Sequence, residues 1–129
     1  DLRCYAGHPA SIAASALDRI RIAVTAMADI AKARGIALLL CTLPPVGRQP
    51  ETYRDPAALR GVNGWLTSFA TERGLCVVDY HAVLADGEGH LPAALSDDGV
   101  HLNTAGYIRM MAVLSEALAG HGFQTSTDR

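Results

Sequence analysis

Aromatic residues and unbalanced charge are both scarce in this sequence. Aromatic side chains make up 5% of the 129 residues, and the formal net charge is only -2, with both signs dispersed along the chain. A base-stacking surface needs aromatic rings, and a nucleic-acid footprint needs clustered lysine and arginine. We therefore expect no nucleic-acid partner and no electrostatic attraction to an anionic membrane surface.

Long hydrophobic runs and cysteines at metal-ligand spacing are missing as well. The longest apolar run, residues 36–43, is far shorter than the roughly 20 residues that cross a bilayer. The sequence therefore predicts no transmembrane segment. The three cysteines, Cys4, Cys41 and Cys76, form no ligand spacing. Two of them lie in strand-like runs, where a free thiol acts as a small apolar filler. We expect neither a metal nor a cofactor.

Alternating helical and strand-like patterns are what the chain does contain. Helical spacing of apolar residues predicts three helices, and two short apolar runs between them predict buried strands. The predicted elements are a helix over 11–34, a strand over 36–43, a helix from Asp55-Pro56 to Arg73-Gly74, a strand over 75–80, a single helical turn over 81–85 and a helix after Tyr107. The apolar stripes predicted for the first and last helices are Leu17, Ile20, Val24, Met27 and Ala31, and Ile108, Met111, Ala112, Ser115 and Leu118. This order indicates an α/β fold with a parallel sheet.

Two strands are fewer than an independent parallel sheet normally contains. Both are predicted to be buried on each face, yet the chain offers few partners for their edges. We therefore expect residues 1–120 to be the C-terminal part of a single larger domain, with strands preceding Asp1. Residues 121–129 are predicted to be a polar tail.

One short segment near the end carries the residues with chemical potential, Ser96-Asp97-Asp98-Gly99-Val100-His101. Asp98 and His101 are three residues apart, and the glycine between them permits a tight turn. Such a turn can hold the carboxylate against one imidazole nitrogen and leave the other nitrogen free. That pair is two-thirds of a Ser-His-Asp triad. Asp97 is the second choice for the acid, and an ordinary turn is the non-catalytic interpretation.

This segment belongs to a block that resembles a known family. Residues 98–107, Asp98-Gly99-Val100-His101-Leu102-Asn103-Thr104-Ala105-Gly106-Tyr107, are similar to the last conserved block of the SGNH (GDSL) hydrolases, a family of serine esterases and lipases. The block commonly has proline where this chain has Leu102. Residues 35–45, 62–66 and 77–80 resemble the fourth strand, the next helix and the fifth strand of that family, in the same order.

The resemblance implies a truncated three-layer α/β/α fold with a flavodoxin-like parallel sheet. It also implies that Asp98 and His101 are catalytic, that no cofactor is needed, and that the substrate is a small-molecule, lipid or carbohydrate ester. The reaction would be ester hydrolysis through an acyl-enzyme. The family's Gly-Asp-Ser motif and its oxyanion glycine and asparagine do not occur in this sequence. We therefore expect the N-terminal half of the same domain as a partner, and a chain that is inactive alone.

Two other interpretations remain open at this point. The chain could be non-catalytic, as a degenerate family member or as an α/β scaffold that binds a ligand or partner. A less favoured interpretation is a metal-dependent hydrolase that uses Asp79, His81, Asp98 and His101 as ligands.

Overall fold

A computed structural model describes residues 10–48 and 55–121 of the chain. Its elements follow the predicted alternation of helices and strands. They are α1 (Ala10–Ala33), β1 (Leu39–Cys41), α2 (Pro56–Arg73), β2 (Cys76–Val78), the short helix α3 (Tyr80–Leu84), a single 3-10 turn (Ala93–Leu95) and α4 (Thr104–Gly120). The single helical turn predicted after the second strand corresponds to α3.

The two strands pair in parallel, as predicted. Leu39, Leu40 and Cys41 lie opposite Cys76, Val77 and Val78. The Thr42 N–H donates to the Val78 carbonyl at 3.0 Å, so the pairing continues one residue past β1. Both strands are shorter than the apolar runs that predicted them. An apolar run reports burial, whereas a strand also requires a paired neighbour at each position.

Successive residues of each strand point to opposite sides of the sheet, and helices pack against both sides. Leu40 and Val77 face a core formed with Val62, Leu66 and Phe69 of α2, against which α1 also packs. Leu39, Cys41 and Val78 face the opposite core, whose other members come from α3, α4 and the loop between them: Tyr80, Leu84, Leu91, Leu95, Leu102, Met110, Val113, Leu114 and Ala117. Helices therefore cover both sides of the sheet, which is the expected three-layer α/β/α architecture.

The boundaries of α2 follow its capping residues, as the sequence predicts. Asp55 accepts a hydrogen bond from the Ala57 N–H, Pro56 occupies the first turn, and Gly74 ends the helix in the left-handed region at φ 64°. Within α2, the buried Asn63 side chain accepts from the Leu43 N–H at 2.7 Å and donates to the Leu43 carbonyl at 2.9 Å. These two hydrogen bonds fix the position of the segment that follows β1.

The prediction of which side of α4 is buried is wrong for the described residues. Ile108 and Met111 belong to the predicted buried stripe, yet they are 65% and 59% exposed. The face that packs inward instead carries Gly106, Met110, Val113, Leu114 and Ala117. Apolar residues cover more than one side of α4, so spacing alone does not identify the side that meets the sheet. In α1 the predicted stripe does pack inward at Leu17, Ile20, Val24 and Ala31. Only Met27 differs, since it is 53% exposed while its neighbour Ala28 is buried.

Several predicted features lie at or beyond the limits of the described residues. His121 is in a turn after α4, and the rest of the predicted polar tail, 122–129, lies outside the described part of the chain.

Cys41 and Cys76 are free and half-buried, and Cys4 lies outside the described residues. Within residues 10–48 and 55–121, no helix has both the length and the apolar character needed to cross a membrane.

Candidate active site

The acidic loop predicted to carry chemistry lies beyond the carboxyl end of β1. The Gly47 N–H, in the segment leaving β1, donates to the Gly99 carbonyl at 2.7 Å, and the Leu91 N–H donates to the Val46 carbonyl at 3.0 Å. A Cβ on Gly47 would lie 2.9 Å from the Gly99 Cα, so only glycine permits this approach. Gly99 itself has a φ of 74°. Ligands of open α/β sheets bind at this end of the strands.

Asp98 and His101 form the hydrogen bond expected from their spacing. The His101 Nδ1 lies 2.6 Å from the Asp98 Oδ2. The other carboxylate oxygen, Oδ1, accepts from the backbone N–H groups of Val100 and His101 at 2.8 and 2.7 Å. One carboxylate therefore shapes the turn with one oxygen and orients the imidazole with the other. Because Nδ1 is bonded to Asp98, it is not bonded to the rival acid, Asp97.

These hydrogen bonds also set the charge of the acid. The hydrogen bond to the His101 side chain, reinforced by the N–H groups of His101 and Val100, holds the pKa of Asp98 far below its usual range. Asp98 is thus a carboxylate at any ordinary working pH. The His101 side chain is 81% exposed. With the Nδ1 proton donated to Asp98, the Nε2 lone pair can accept a proton from a partner.

Residues on either side of the turn hold the pair in place. The buried Ser96 Oγ donates to the His101 carbonyl at 2.7 Å and lies 3.3 Å from the Asp98 Oδ1. Asn103 caps α4 by accepting from the Gly106 N–H at 3.1 Å, and its own N–H donates to the Leu95 carbonyl at 2.9 Å. Hydrogen bonds therefore hold the backbone of the loop on both sides of His101.

The four residues of the metal hypothesis do not form one cluster. Asp79 accepts from the Thr42 hydroxyl at 2.8 Å and from the Ala82 N–H at 3.0 Å, so it caps α3. Thr42 in turn accepts from the His81 N–H at 3.0 Å. The described residues contain no group of three or more His, Cys, Asp or Glu side chains that could hold a metal ion. The structure gives the metal interpretation no support.

Two hollows lie beside the turn. One, of about 480 Å³, has charged walls that include Arg48, Asp86, His90, Asp97 and Asp98. The other, of about 280 Å³, is mainly apolar and is formed by Leu43, Pro44, Pro45, Val46, Asp55, Leu59 and Val100. The sequence indicated that Pro44, Pro45 and Val46 border a ligand pocket, and they do line this second hollow.

Sequence reasoning missed the supports of the pair. Asn103 immediately precedes a helical pattern, so its capping role could have been found from sequence. Ser96 has no such local signal, because its partner is the carbonyl of a residue across the turn. The close approach of Gly47 and Gly99 joins segments about fifty positions apart, and no short-range pattern indicates it.

The fold and the site together define a class, a three-layer α/β protein with a hydrogen-bonded Asp–His pair at the carboxyl edge of a parallel sheet. The model of the GDSL-like lipase/acylhydrolase family matches residues 4–109. The chain therefore belongs to this family, as the sequence blocks indicated, and the family is one of hydrolases.

Solved structures of family members have the same fold. A proposed acylhydrolase from Bacteroides fragilis matches with a TM-score of 0.73 and 28% identity, over 81% of this chain and 52% of that one. A GDSL-like lipase from Bacteroides thetaiotaomicron matches with a TM-score of 0.68 and 25% identity, over 76% of this chain and 50% of that one. A proposed lipolytic protein of the G-D-S-L family from Desulfitobacterium hafniense matches in fold, with a TM-score of 0.68 and 22% identity, over 79% of this chain and 55% of that one. The chain thus spans about half the length of these structures. Among curated proteins, no relative matches it.

Proposed function

We propose that this chain supplies Asp98 and His101 to the Ser-His-Asp triad of a carboxylic ester hydrolase. The observation that carries the proposal is the 2.6 Å contact between the Asp98 Oδ2 and the His101 Nδ1. It is made by a carboxylate that two backbone N–H groups also hold in place. Membership of the GDSL-like lipase/acylhydrolase family supports an acyl-transfer reaction at this pair.

Each group has a role that follows from its geometry. The His101 Nε2 accepts the proton of a serine hydroxyl while the serine oxygen forms a bond to the ester carbonyl carbon. The same proton then passes to the alcohol oxygen as the carbon–oxygen bond to the alcohol breaks, leaving an acyl-enzyme. Water repeats the sequence and releases the acid. Asp98 keeps the Nδ1 proton in place and stabilises the imidazolium that forms in each step.

We further propose that the serine comes from outside this chain, from the N-terminal half of the same domain. Residues 1–129 contain no Gly-Asp-Ser motif. Ser96 is the serine in the turn itself, but its buried hydroxyl already donates to the His101 carbonyl, which leaves it poorly placed to attack a substrate. The chain alone is therefore expected to be inactive, and residues 1–120 to be the C-terminal part of one hydrolase domain.

The test is covalent labelling with a fluorophosphonate, which modifies activated serines. We expect the longer protein that includes the preceding half-domain to be labelled, and this chain alone to remain unlabelled. His101→Ala in the longer protein should abolish labelling and lower kcat for a p-nitrophenyl ester by at least about 10³-fold. His121→Ala, in the exposed turn after α4, is the matched control and should leave both unchanged.

Other results would contradict the proposal. Labelling of the longer protein that survives His101→Ala would remove His101 from the mechanism. A longer protein that neither reacts with the probe nor hydrolyses esters would support the non-catalytic interpretation. Loss of ester hydrolysis in a chelator, without fluorophosphonate labelling, would support a metal-dependent reaction.

A further inference from the structure

The side chain of Asn63 holds the backbone of Leu43 by both of its polar groups. Asn63 lies on α2 and is 8% exposed. Its carbonyl oxygen accepts from the Leu43 N–H at 2.7 Å, and its NH2 group donates to the Leu43 carbonyl at 2.9 Å. A side-chain amide offers an acceptor and two donors, so it can satisfy both backbone groups of one residue. Asn63 thus does for Leu43 what a neighbouring strand does for the residues of β1.

Leu43 belongs to a segment with little freedom to change shape, residues 42–47. At its start, the buried Thr42 hydroxyl donates to the Asp79 Oδ1 at 2.8 Å. In its middle, two consecutive prolines fix their own φ angles, and Pro45 is fully buried. A displacement at the start of the segment is therefore carried to its end.

The end of this segment lies against the turn that carries the Asp–His pair. The Gly47 N–H donates to the Gly99 carbonyl at 2.7 Å. Gly99 lies between the two members of the pair, whose side chains meet at 2.6 Å from the Asp98 Oδ2 to the His101 Nδ1. A shift of Gly47 therefore acts on the backbone that joins the carboxylate to the imidazole. Hydrogen bonds and rigid segments of this kind can couple distant positions.

We infer that Asn63 is a positioning residue for His101 and acts through residues 42–47 and the Gly47–Gly99 hydrogen bond. Its effect on catalysis rests on the proposed function, whereas its effect on the contact between Asp98 and His101 does not. The role goes beyond folding, because loss of the Asn63 amide is expected to displace the imidazole in a chain that stays folded.

The first experiment follows the pair by NMR in the isotope-labelled chain, which needs no nucleophile. Asn63→Leu replaces the amide with an apolar side chain of similar size and removes both hydrogen bonds to Leu43. We expect the amide signals of Gly47 and Gly99 to move. We also expect a smaller fraction of neutral His101 to carry its proton on Nδ1, as read from the ring nitrogen shifts, because the contact with Asp98 favours that tautomer.

Two further variants separate positioning from stability. Phe69→Leu removes buried apolar volume further along α2, where Phe69 is 7% exposed. It should lower the denaturation midpoint and leave the His101 ring shifts unchanged. Asn63→Asp, studied at pH 8, still accepts from the Leu43 N–H but has no donor for the Leu43 carbonyl. It should displace the same signals in the same direction by a smaller amount.

The ring shifts of His101 decide the outcome. A folded Asn63→Leu chain with the native ring shifts would overturn the inference, and so would equal changes in Phe69→Leu. If Asn63→Leu does not fold, Asn63→Asp decides in its place, and native ring shifts in that variant would overturn the inference.

The second experiment measures the catalytic consequence in the longer protein. Asn63→Leu should lower kcat for a p-nitrophenyl ester by about 10–100-fold and change KM by less than about twofold, since the imidazole is misplaced while the substrate contacts remain. Phe69→Leu should change neither by more than about twofold.

Failure of this inference and failure of the proposed function give different results. If the longer protein reacts with the fluorophosphonate and Asn63→Leu keeps the native kcat, the hydrolase stands and the positioning role falls. If the longer protein is not labelled, the proposed function fails, and the ring shifts in the chain alone still decide whether Asn63 positions His101.

Discussion

Ser96 holds both members of the Asp–His pair with one buried hydroxyl. It is 2% exposed, donates to the His101 carbonyl at 2.7 Å and lies 3.3 Å from the Asp98 Oδ1. Removing the hydroxyl deprives the His101 carbonyl of this donor, which costs roughly 1–2 kcal/mol. Ser96 is in this sense a positioning residue, since it acts on the imidazole through the backbone.

Ser96→Ala should therefore loosen the pair as well as lower stability. In the chain alone, we expect the downfield NMR proton of the His101 Nδ1–H to weaken or exchange faster, together with a loss of roughly 1–2 kcal/mol in the free energy of unfolding. Ser115→Ala, on an exposed face of α4, is the control and should change neither. A loss of stability with an unchanged Nδ1–H signal would mean that Ser96 is merely structural.

The acid dependence of the turn follows from the pKa of Asp98. Its folded-state pKa is lowered, chiefly by the hydrogen bond to His101, so its contribution to stability is fully present above the ordinary aspartate value of 3.8. That contribution is lost only as the pH falls further, through the folded pKa. We expect the Val100 and His101 amide resonances to keep their native positions as the pH passes through 3.8. Asp98→Asn should remove the titration and weaken protection of both amides. A transition centred at the ordinary aspartate value would contradict the low pKa.

At this scale the sequence predicts contacts between near neighbours and misses those made across the turn. The Asp98–His101 hydrogen bond follows from a spacing of three residues around a glycine, so it could be predicted. The Ser96 bond to a carbonyl depends on the backbone path of the whole turn. The hydroxyl could equally have faced solvent, and only the folded turn decides between the two.

At the scale of elements, α4 starts close against the 3-10 turn because Gly106 has no side chain. A Cβ there would lie 2.7 Å from the Leu95 carbonyl oxygen and 3.0 Å from the Leu102 side chain. Alanine normally stabilises a helix by about 1 kcal/mol relative to glycine. At this position the backbone clash outweighs that gain, since α4 would have to move away from the loop that carries His101.

Gly106→Ala and Gly64→Ala should therefore have opposite effects. Gly64 lies within α2, and a Cβ there would meet no atom within 4 Å. We expect Gly64→Ala to raise the free energy of unfolding by up to about 1 kcal/mol and Gly106→Ala to lower it by about 1–3 kcal/mol. Chemical denaturation of the chain measures both. Stabilisation by both substitutions would show that α4 can shift without cost.

The same contrast explains which elements the sequence predicts well. The ends of α2 carry their own signals, Asp55-Pro56 and Gly74, and both capping predictions are confirmed. The inward face of α4 carries no such signal, because apolar residues lie on both of its sides. Strand lengths are set by partner strands, so the apolar runs at 36–43 and 75–80 overestimate the paired segments.

At the scale of the molecule, large apolar side chains stay exposed on both helical layers. Met27 and Ile30 of α1 are 53% and 55% exposed, and Ile108 and Met111 of α4 are 65% and 59% exposed. Within the described residues β1 pairs with a single strand, β2. A strand buried in a parallel sheet normally has neighbours on both sides. These surfaces fit the proposal that the other half of the domain covers them, and the sequence-predicted stripe of α4 would then be buried in the longer protein.

Met111→Asp tests whether this surface is covered. In the chain alone the residue is largely exposed, so we expect the free energy of unfolding to change by no more than about 0.5 kcal/mol. In the longer protein the new carboxylate would be buried against apolar groups and should cost at least about 2 kcal/mol. Arg109→Asp places the same residue at another exposed position of α4 and serves as the control, with small effects expected in both proteins. Chemical denaturation of the four variant proteins gives the comparison. An equally small effect of Met111→Asp in the longer protein would mean that this side of α4 faces solvent there too, and that the rest of the domain packs elsewhere.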